Sequence, residues 1–232
     1  MIRIENLTKK YAADFTAVSV ENLEVPQGQS FGLVGNNGAG KTTLFRMLLD
    51  LIRPTTGAVY FKDEVIAGNE SWKDYTGAYL DEGFLIGHLT PDEYLLFVGE
   101  INGLNKAEID ERLDEFEDFF SGEIRGKKSY IRELSKGNQK KVGVAAALIA
   151  QPEILILDEP FANLDPSTQI RLKNLLKAYQ EERQATLLIS SHDLSHVTEV
   201  CERIAILEKG AVVQDIKSDE STLKELEAYF TA

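Results

Sequence analysis

A glycine-rich segment that leads into a lysine and two threonines is the strongest chemical feature of the sequence. It reads Gly35-Asn-Asn-Gly-Ala-Gly40-Lys41-Thr42 and fits the pattern G-x-x-x-x-G-K-[ST]. Glycines let backbone N–H groups curl around phosphate oxygens, and the positive end of a following helix adds attraction. Lys41 can reach β- and γ-phosphates, and the Thr42 hydroxyl can hold Mg²⁺. The segment therefore predicts a nucleotide site made by Gly35, Asn36, Asn37, Gly38, Ala39, Gly40, Lys41, Thr42 and Thr43.

Two adjacent acids follow an apolar run later in the chain. Ile154-Leu-Ile-Leu157 suits a buried parallel strand, and Asp158 and Glu159 come directly after it. Beside a phosphate loop, Asp158 would hold Mg²⁺, directly or through water, and Glu159 would polarise a water for attack on the γ-phosphate. A GTPase would also carry Asn-Lys-x-Asp, and the segment starting at Asn105 has Glu108 in the aspartate position. These two motifs alone leave a small-molecule kinase open.

The elements that must position these residues alternate between strands and helices at both ends of the chain. The middle, from about residue 91 to 150, is mostly helical, with a capping pattern at Thr90, Pro91 and Glu93. This order predicts an α/β fold in which a parallel core carries inserted helices. We expect strands at 1–5, 19–25, 29–34, 58–61, 154–157 and 186–190, a hairpin at 204–207 and 211–214, and helices at 42–51, 108–120, 167–183 and 221–230.

Composition and charge limit the classes of function. Apolar residues make up 43%, which is typical of a globular protein, and 38 acidic residues stand against 25 basic ones, for a net charge of −13. That charge disfavours general affinity for nucleic acid or anionic lipid, so no nucleic-acid partner is expected. The sequence has no secretory signal and no apolar stretch of roughly 18 residues, so we expect any membrane role to come through a partner. Cys201 is the only cysteine, and a reducing cytoplasmic location is expected.

A segment between these features, Leu134-Ser-Lys-Gly-Asn-Gln139, resembles the signature motif of ABC ATPases, usually Leu-Ser-Gly-Gly-Gln. The order of motifs is also similar to that family: phosphate loop, signature, acidic strand, Asn163-Leu-Asp165 and Ser190-Ser-His192. The resemblance covers essentially the whole chain. It implies an ABC-type P-loop NTPase core with a mixed or parallel sheet, an antiparallel β subdomain and an inserted helical subdomain. The expected single domain, 1–232, has its core at about 1–87 and 151–214, helical subdomain at about 88–150 and a short tail helix at about 219–232.

The resemblance also implies an ATP-binding and ATP-hydrolysing subunit of an ABC transporter, with ATP and Mg²⁺ as cofactors. Glu159, His192 and Lys41 would be catalytic, and Tyr11 would stack on adenine, with Phe15 as its nearest rival. The subunit would work as a head-to-tail dimer, with itself or with a paralogous ATPase subunit, in which Asp165 couples the two sites. The signature residues that would meet the ATP of the partner subunit are Ser135, Lys136, Gly137, Asn138 and Gln139.

Two positions depart from the family pattern. Lys136 replaces a glycine, and Glu82 stands where the family has a glutamine that contacts Mg²⁺ and water. With Thr42 and Asp158, Glu82 would supply an oxygen ligand to Mg²⁺, without the amide donor of glutamine. The stretch from Glu82 to Phe97 would dock a separate transmembrane permease, which would place the chain at the inner face of the cell membrane.

The forms of the signature and of the Glu82 segment resemble exporter-type, ABC-2 subunits, so export is expected. The alternative is a soluble ABC ATPase in translation or DNA repair, although such proteins usually carry two ATPase domains or long coiled coils. Around the signature, a basic cluster has three interpretations. They are charge balance against the acids of 108–123, which is favoured, attraction for the ATP of the partner subunit, and nucleic-acid binding, against which the single interleaved aromatic, Tyr130, argues. The members of the cluster are Arg125, Lys127, Lys128, Arg132, Lys136, Lys140 and Lys141.

Overall fold

The computed structural model describes residues 1–12, 14–219 and 221–231, and they form an α/β fold with two sheets. The strands are β1 (Ile2–Ala12), β2 (Phe15–Val25), β3 (Ser30–Val34), β4 (Thr56–Phe61), β5 (Glu64–Val65), β6 (Thr76–Tyr79), β7 (Ile154–Asp158), β8 (Thr186–Ser191), β9 (Arg203–Glu208) and β10 (Ala211–Lys217). The helices are α1 (Lys41–Leu48), α2 (Pro91–Ile101), α3 (Lys106–Glu115), α4 (Glu117–Phe120), α5 (Lys136–Leu148), α6 (Pro166–Arg183), α7 (Leu194–Val200) and α8 (Thr222–Thr231).

The two sheets differ in strand direction. The smaller sheet has the order β2-β1-β4-β5 and is antiparallel. The larger sheet has the order β10-β9-β3-β8-β7-β6, in which only β10 runs antiparallel to its neighbour. The predicted fold class, a mixed sheet with an antiparallel subdomain, is therefore confirmed. The predicted boundaries of the core and of the helical subdomain stay a prediction.

Strand register brings the chemically active segments together. In the larger sheet, Val34 at the end of β3 pairs with Ser191 at the end of β8, and Asp158 at the end of β7 pairs with Ser190. The carboxyl ends of β3, β7 and β8 therefore meet at one edge, where ligands bind in open α/β sheets. All residues of these three strands are buried, which fixes the register.

The helices between β6 and β7 in the chain are α2 to α5. The capping box at the start of α2 is confirmed, since the Thr90 side chain accepts from the Glu93 N–H and the Glu93 carboxylate accepts from the Thr90 N–H. The single helix expected at 108–120 is wrong, because the chain turns at Phe116 and divides the segment into α3 and α4. The turn lets Phe119 join Phe116 and Phe120 in the core, where the rings of Phe116 and Phe120 meet edge to face.

The observed boundaries of β1, β2 and α1 also differ from the predicted ones. β1 extends to Ala12 and β2 begins at Phe15, because the two strands pair along the whole hairpin and β1 also pairs with β4. The helix expected at 42–51 ends at Leu48, and Asp50 adopts a positive φ of 50° just beyond it. Among the described residues, no helix is long and apolar enough to cross a membrane.

The strand β6 was not predicted, because Thr-Gly-Ala-Tyr has neither alternation nor β-branched residues beyond its first position. It is held by close packing against α5. A Cβ on Gly77 would lie 2.0 Å from the Ala147 carbonyl oxygen, and one on Gly143 would lie 2.2 Å from the Tyr79 ring. These glycines let α5 approach β6 closely, which brings the start of α5 beside the segment that follows Tyr79.

Candidate functional site

The phosphate loop connects buried strand β3 to helix α1, as the sequence predicts. Gly40 precedes α1 with a φ of 110°, and a Cβ there would lie 2.6 Å from the Ala17 carbonyl oxygen, so the loop requires glycine at this position. Lys41 begins the helix, and its side chain is only 6% exposed. Its Nζ donates to the Gly35 carbonyl oxygen at 2.6 Å. The loop thus combines a buried ammonium with a helix N-terminus, which suits an anion with several oxygens.

Thr42 and Asp158 lie together at the end of β7. The Thr42 hydroxyl donates to Asp158 Oδ2 at 2.5 Å, and the Ser190 hydroxyl donates to the other carboxylate oxygen. Burial raises the pKa of the Asp158 carboxyl, while the hydrogen bonds from Ser190 and Thr42 act in the opposite direction. A carboxylate and a hydroxyl are the hard oxygen ligands that Mg²⁺ prefers.

A magnesium ion needs few protein ligands here, because Mg²⁺ keeps several waters and binds substrate phosphates. Within the described residues, no group of three or more His, Cys, Asp and Glu side chains is arranged as a self-sufficient metal site. The pair of Thr42 and Asp158 beside the phosphate loop fits an Mg²⁺ that arrives with a nucleotide.

Glu159 is placed between the phosphate loop and the end of β8. Its Oε1 lies 3.3 Å from Lys41 Nζ, and its Oε2 lies 2.8 Å from His192 Nδ1. Its backbone N–H donates to the Ser190 hydroxyl at 3.0 Å. The structure therefore brings together Lys41, Glu159 and His192, the three residues predicted to be catalytic. The carboxylate can accept a proton from a water, and the adjacent histidine can orient both.

A cleft opens beside the phosphate loop. Tyr11 and Phe15 flank it at the turn end of the β1–β2 hairpin, where they are 58% and 56% exposed. Exposed aromatic rings next to a phosphate site suit stacking on a base. The cleft is lined by Tyr11, Phe15, Ala17, Asn37, Gly38, Ala39, Gly40, Lys41, Thr42, Thr43 and Glu159.

Glu82 forms an ion pair that the sequence did not predict. Its Oε2 is 3.7 Å from Lys136 Nζ, whereas Thr42 and Asp158 contact each other. The two departures from the family pattern, Glu82 and Lys136, thus form one ion pair. Burial raises the pKa of the Tyr79 hydroxyl, and the charge of Glu82 raises it further. The adjacent Asp81 lies 3.6 Å from Arg46 of α1, so both acids connect this segment to functional helices.

The signature segment forms the start of α5. Ser135 is the N-cap residue, and its hydroxyl accepts from the Asn138 N–H at 3.2 Å. Ser135 and Lys136 are exposed, while Gln139 is buried and donates to the Leu134 carbonyl oxygen at 3.0 Å. Gln139 therefore stabilises the helix start and does not share the exposed surface of its neighbours.

Asp165 lies near the signature and caps α6. A Cβ on Gly137 would lie 3.0 Å from the Asn163 carbonyl oxygen, which shows how close the signature is to the loop before α6. The Asp165 carboxylate accepts from the Ser167 hydroxyl at 2.5 Å and from the Thr168 N–H at 3.0 Å. These hydrogen bonds hold the pKa of Asp165 well below its usual range. The helix-cap role of Asp165 is present within one subunit.

The basic cluster divides into two parts. Arg125 contacts Asp114 and Asp110, and Lys141 Nζ lies 2.7 Å from Glu123 Oε2, so these two residues balance acids of 108–123 as expected. Lys140 behaves differently, because its Nζ donates to the Glu159 carbonyl oxygen at 2.6 Å.

Sequence reasoning assigned Lys140 only to the cluster and missed its contact with the site. Burial lowers the pKa of its ammonium, and the charges of Glu82, Glu159 and Asp158 act against that decrease. The only signal in the sequence was a lysine on the helix after the signature, and that does not indicate a partner 19 residues away.

Comparisons with known proteins agree with this geometry. A family model described as "ABC transporter" matches residues 18–162. The chain is 37% identical over 221 residues to the uncharacterized ABC transporter ATP-binding protein YhaQ of Bacillus subtilis, covering 95% of this chain and 72% of that protein. It is 34% identical to the methionine import ATP-binding protein MetN 3 of Bacillus cereus, covering 92% and 65%. It is 32% identical to the bacitracin transport ATP-binding protein BcrA of Enterococcus faecalis, covering 95% and 70%.

A solved structure is also similar. The ATP-binding cassette MJ0796, described as a dimeric post-hydrolysis state bound to ADP and Pi, superposes with a TM-score of 0.84 at 26% identity, covering 94% of this chain and 99% of that one. The chain thus spans nearly all of a solved ATP-binding cassette, and 65–72% of the length of the three longer relatives. The chain therefore belongs to the ABC transporter ATP-binding family, whose ATP-binding domains are ATPases.

Proposed function

We propose that the site binds Mg²⁺ and ATP and hydrolyses ATP by attack of water on its γ-phosphate. Lys41, Glu159 and His192 have the catalytic roles. The observation that carries this proposal is the position of the Glu159 carboxylate, 3.3 Å from Lys41 Nζ and 2.8 Å from His192 Nδ1. Glu159 accepts a proton from the attacking water, and His192 orients Glu159 and the water. Lys41 binds the β- and γ-phosphate oxygens and exchanges its contact with Glu159 for one with the nucleotide.

The residues proposed to hold Mg²⁺ are Thr42, Asp158 and Glu82. When bound, the ion neutralises charge that develops on the phosphate oxygens. Support for Thr42 and Asp158 comes from their direct contact beside the phosphate loop. For Glu82 the support is the resemblance alone, and one of its carboxylate oxygens lies 3.7 Å from Lys136 Nζ.

We infer that the chain acts as a head-to-tail dimer in which Ser135, Lys136, Gly137 and Asn138 meet the ATP of the partner subunit. These residues lie at the N-terminal end of α5, and the described lining of the chain's own cleft contains none of them. A helix N-terminus with an exposed hydroxyl and an exposed lysine suits a phosphate that comes from outside the subunit. Asp165 lies beside this surface, and Gln139 supports it from within. The dimeric state in the description of the similar cassette supports assembly as a dimer.

The proposed biological role is to power a transporter through a separate transmembrane permease at the inner face of the cell membrane. An apolar groove next to the Glu82 segment supports permease docking. Leu51 and Phe84 expose 49% and 53% of their surfaces there, and Trp72 and Tyr94 line the wall. The stretch from Glu82 to Phe97 contributes only Phe84, Leu85 and Tyr94 to the groove. The rest of the lining comes from the residues just after α1, the segment 72–80 that includes β6, the C-terminal end of α2, and α5 with the residues that follow it.

A pull-down from native membranes in mild detergent tests this role. The tagged wild-type chain is expected to recover a stoichiometric polytopic membrane protein. Leu51→Asp should lose that protein while ATP hydrolysis is retained, because a charge in the groove opposes apolar docking. Val213→Asp on β10 is the matched control, because Val213 is an apolar residue that is 46% exposed and lies outside the groove. Recovery of ribosomes or DNA-repair factors instead would support the alternative, a soluble ABC ATPase.

We propose that the direction of transport is export. The support is the resemblance of the Lys136 form of the signature and of the Glu82 segment to exporter-type subunits. Names of similar proteins include both methionine import and bacitracin transport, so they favour neither direction. Co-expression with the permease from the pull-down is expected to protect cells against membrane-active peptides, whereas Glu159→Gln should not. Rescue of a nutrient requirement in place of protection would indicate import.

The adenine stack gives a testable prediction. Tyr11→Ala is expected to weaken ATP binding by about 5- to 150-fold, which corresponds to the roughly 1–3 kcal/mol of one aromatic stack. Phe15→Ala should weaken it by less than about threefold if Tyr11 carries the stack. Equilibrium titration with a fluorescent ATP analogue measures both variants. The reverse order of the two effects would assign the stack to Phe15.

The pair of Glu82 and Lys136 gives a second prediction. Glu82→Gln keeps an oxygen ligand, so the Mg²⁺ concentration for half-maximal hydrolysis should stay within about threefold of wild type. Because the Lys136 side chain is 66% exposed, the ion pair is expected to contribute at most about 1 kcal/mol. A double-mutant cycle with Glu82→Gln and Lys136→Gln measures that coupling in thermal unfolding. A tenfold change in Mg²⁺ requirement would mean that the carboxylate charge is needed at this position.

A further inference from the structure

Lys140 is a buried cation at the boundary between α5 and the core. Its side chain is 4% exposed, and its Nζ donates to the Glu159 carbonyl oxygen at 2.6 Å. The same Nζ lies 5.9 Å from the centre of the Tyr79 ring. A buried ammonium is costly unless it is hydrogen-bonded and near opposite charge. The hydrogen bond to the Glu159 carbonyl oxygen therefore stabilises the buried position of the Lys140 ammonium.

The backbone of Glu159 needs such support. Its φ of 49° lies in the left-handed region, which glutamate rarely adopts. Both peptide groups of Glu159 are anchored. The N–H donates to the Ser190 hydroxyl, and the carbonyl oxygen accepts from Lys140 at 2.6 Å and, at the longer distance of 3.3 Å, from the Ala162 N–H. The direction of the side chain follows from this backbone, and it brings the carboxylate to His192 and Lys41. Strained backbone at a functional residue persists only where its surroundings hold it.

The helix that carries Lys140 also carries the signature. Ser135 caps α5, Lys136 is its first residue, and Lys140 lies one turn further on. Lys136 contacts Glu82 and Lys140 contacts Glu159, so two lysines on one helix connect it to two acidic residues of the proposed site. A displacement of the signature end of α5 would therefore move Lys140 and change its hydrogen bond to the backbone of Glu159.

We propose that Lys140 is a positioning residue for hydrolysis, which fixes the carboxylate of Glu159 through its carbonyl oxygen and links it to the signature helix. This inference rests on the proposed role of Glu159 as the residue that activates water. Lys140 acts through Glu159, because its hydrogen bond is to the backbone carbonyl oxygen of that residue. Its loss is expected to affect the rate of the chemical step and to leave nucleotide affinity nearly unchanged.

Lys141 is a matched control on the same helix. Its side chain is 3% exposed, and its Nζ contacts Glu123 Oε2 at 2.7 Å and the Phe120 carbonyl oxygen at 3.4 Å. Lys141→Met removes a buried ammonium of the same kind, but from the side that faces α4. Any loss caused only by a destabilised helix should therefore appear in both lysine variants.

The experiment measures kcat and KM for Mg²⁺ and ATP with the purified 232-residue chain. Lys140→Met is expected to lower kcat by about 10- to 100-fold, the range for a misplaced catalytic group, with KM within about threefold of wild type. Lys140→Arg keeps a cationic donor and should recover at least half of that loss on a logarithmic scale. Lys141→Met should keep kcat within about twofold per folded molecule, even if its melting temperature falls.

Three outcomes separate the possible failures. A wild-type kcat for Lys140→Met, or equal losses in Lys140→Met and Lys141→Met, would overturn the positioning role. Wild-type hydrolysis by Glu159→Gln in the same assay would instead overturn the proposed role of Glu159. If Lys140→Met does not fold, Lys140→Gln replaces it, because glutamine is a shorter and neutral donor. A kcat of Lys140→Gln equal to that of Lys140→Arg would contradict the proposal.

Discussion

Glu159→Gln is expected to lower the rate of ATP hydrolysis at saturating ATP by about 10²- to 10⁴-fold, the range for removal of a general base. Glutamine retains the shape of the side chain but cannot accept the proton of the attacking water. The substitution also removes a negative charge 3.3 Å from Lys41 Nζ, so ATP affinity should stay equal or increase. Steady-state phosphate release measures the rate, and titration with a fluorescent ATP analogue measures the affinity.

The same variant tests the dimer. Because ATP binding without hydrolysis leaves the proposed sandwich closed, Glu159→Gln should elute as a dimer in the presence of Mg²⁺ and ATP and as a monomer without them. Glu182→Gln, an exposed acid on α6, is the control for loss of one carboxylate. Hydrolysis by Glu159→Gln at the wild-type rate would show that another group activates the water.

Lys41→Met is expected to weaken ATP binding by at least about 100-fold. Hydrogen bonds to charged groups contribute about 1.5–3 kcal/mol each, and the Lys41 ammonium is proposed to meet two phosphates. The Lys41 Nζ donates to the Gly35 carbonyl oxygen and lies 3.3 Å from Glu159 Oε1, so the side chain is held in the loop. Isothermal titration measures the affinity.

Thermal unfolding supplies the control for Lys41→Met. A ligand that binds only the folded state raises the melting temperature, so the increase produced by Mg²⁺ and ATP should disappear in this variant. Lys173→Met also removes a mostly buried lysine, one that pairs with Glu199 at 2.8 Å, and it should keep the increase. An unchanged increase in Lys41→Met would place the phosphates elsewhere.

The fold and the centre of the site were predictable because they depend on short contiguous patterns. The phosphate loop is nine consecutive residues, and its conformation follows from its glycines and from the strand and helix at its ends. Asp158 and Glu159 follow a buried apolar run, and parallel strands that share a sheet present their carboxyl ends at one edge. The residue types of the phosphate loop and of the two acids, and their places in the fold, therefore both follow from local sequence.

Helix and strand boundaries were less predictable where tertiary contacts override local preference. Ile109, Leu113, Phe116 and Phe120 have helical spacing, yet the chain turns at Phe116 because three phenylalanines share one core. The strand β6 has weak strand propensity and exists because β7 and α5 hold it on two sides. In both cases burial of side chains contributes more than the propensity of the segment.

By itself, the sequence determined the fold class, the phosphate loop, the two acids after β7 and the family to which the chain belongs. Only the tertiary structure decided that Glu82 pairs with Lys136, that Gln139 faces inward and that Lys140 holds the backbone of Glu159. The physical reason is that each of these contacts depends on how closely α5 packs against the core. That approach is set by glycines and buried side chains on separate elements, and no contiguous pattern records the distance between them.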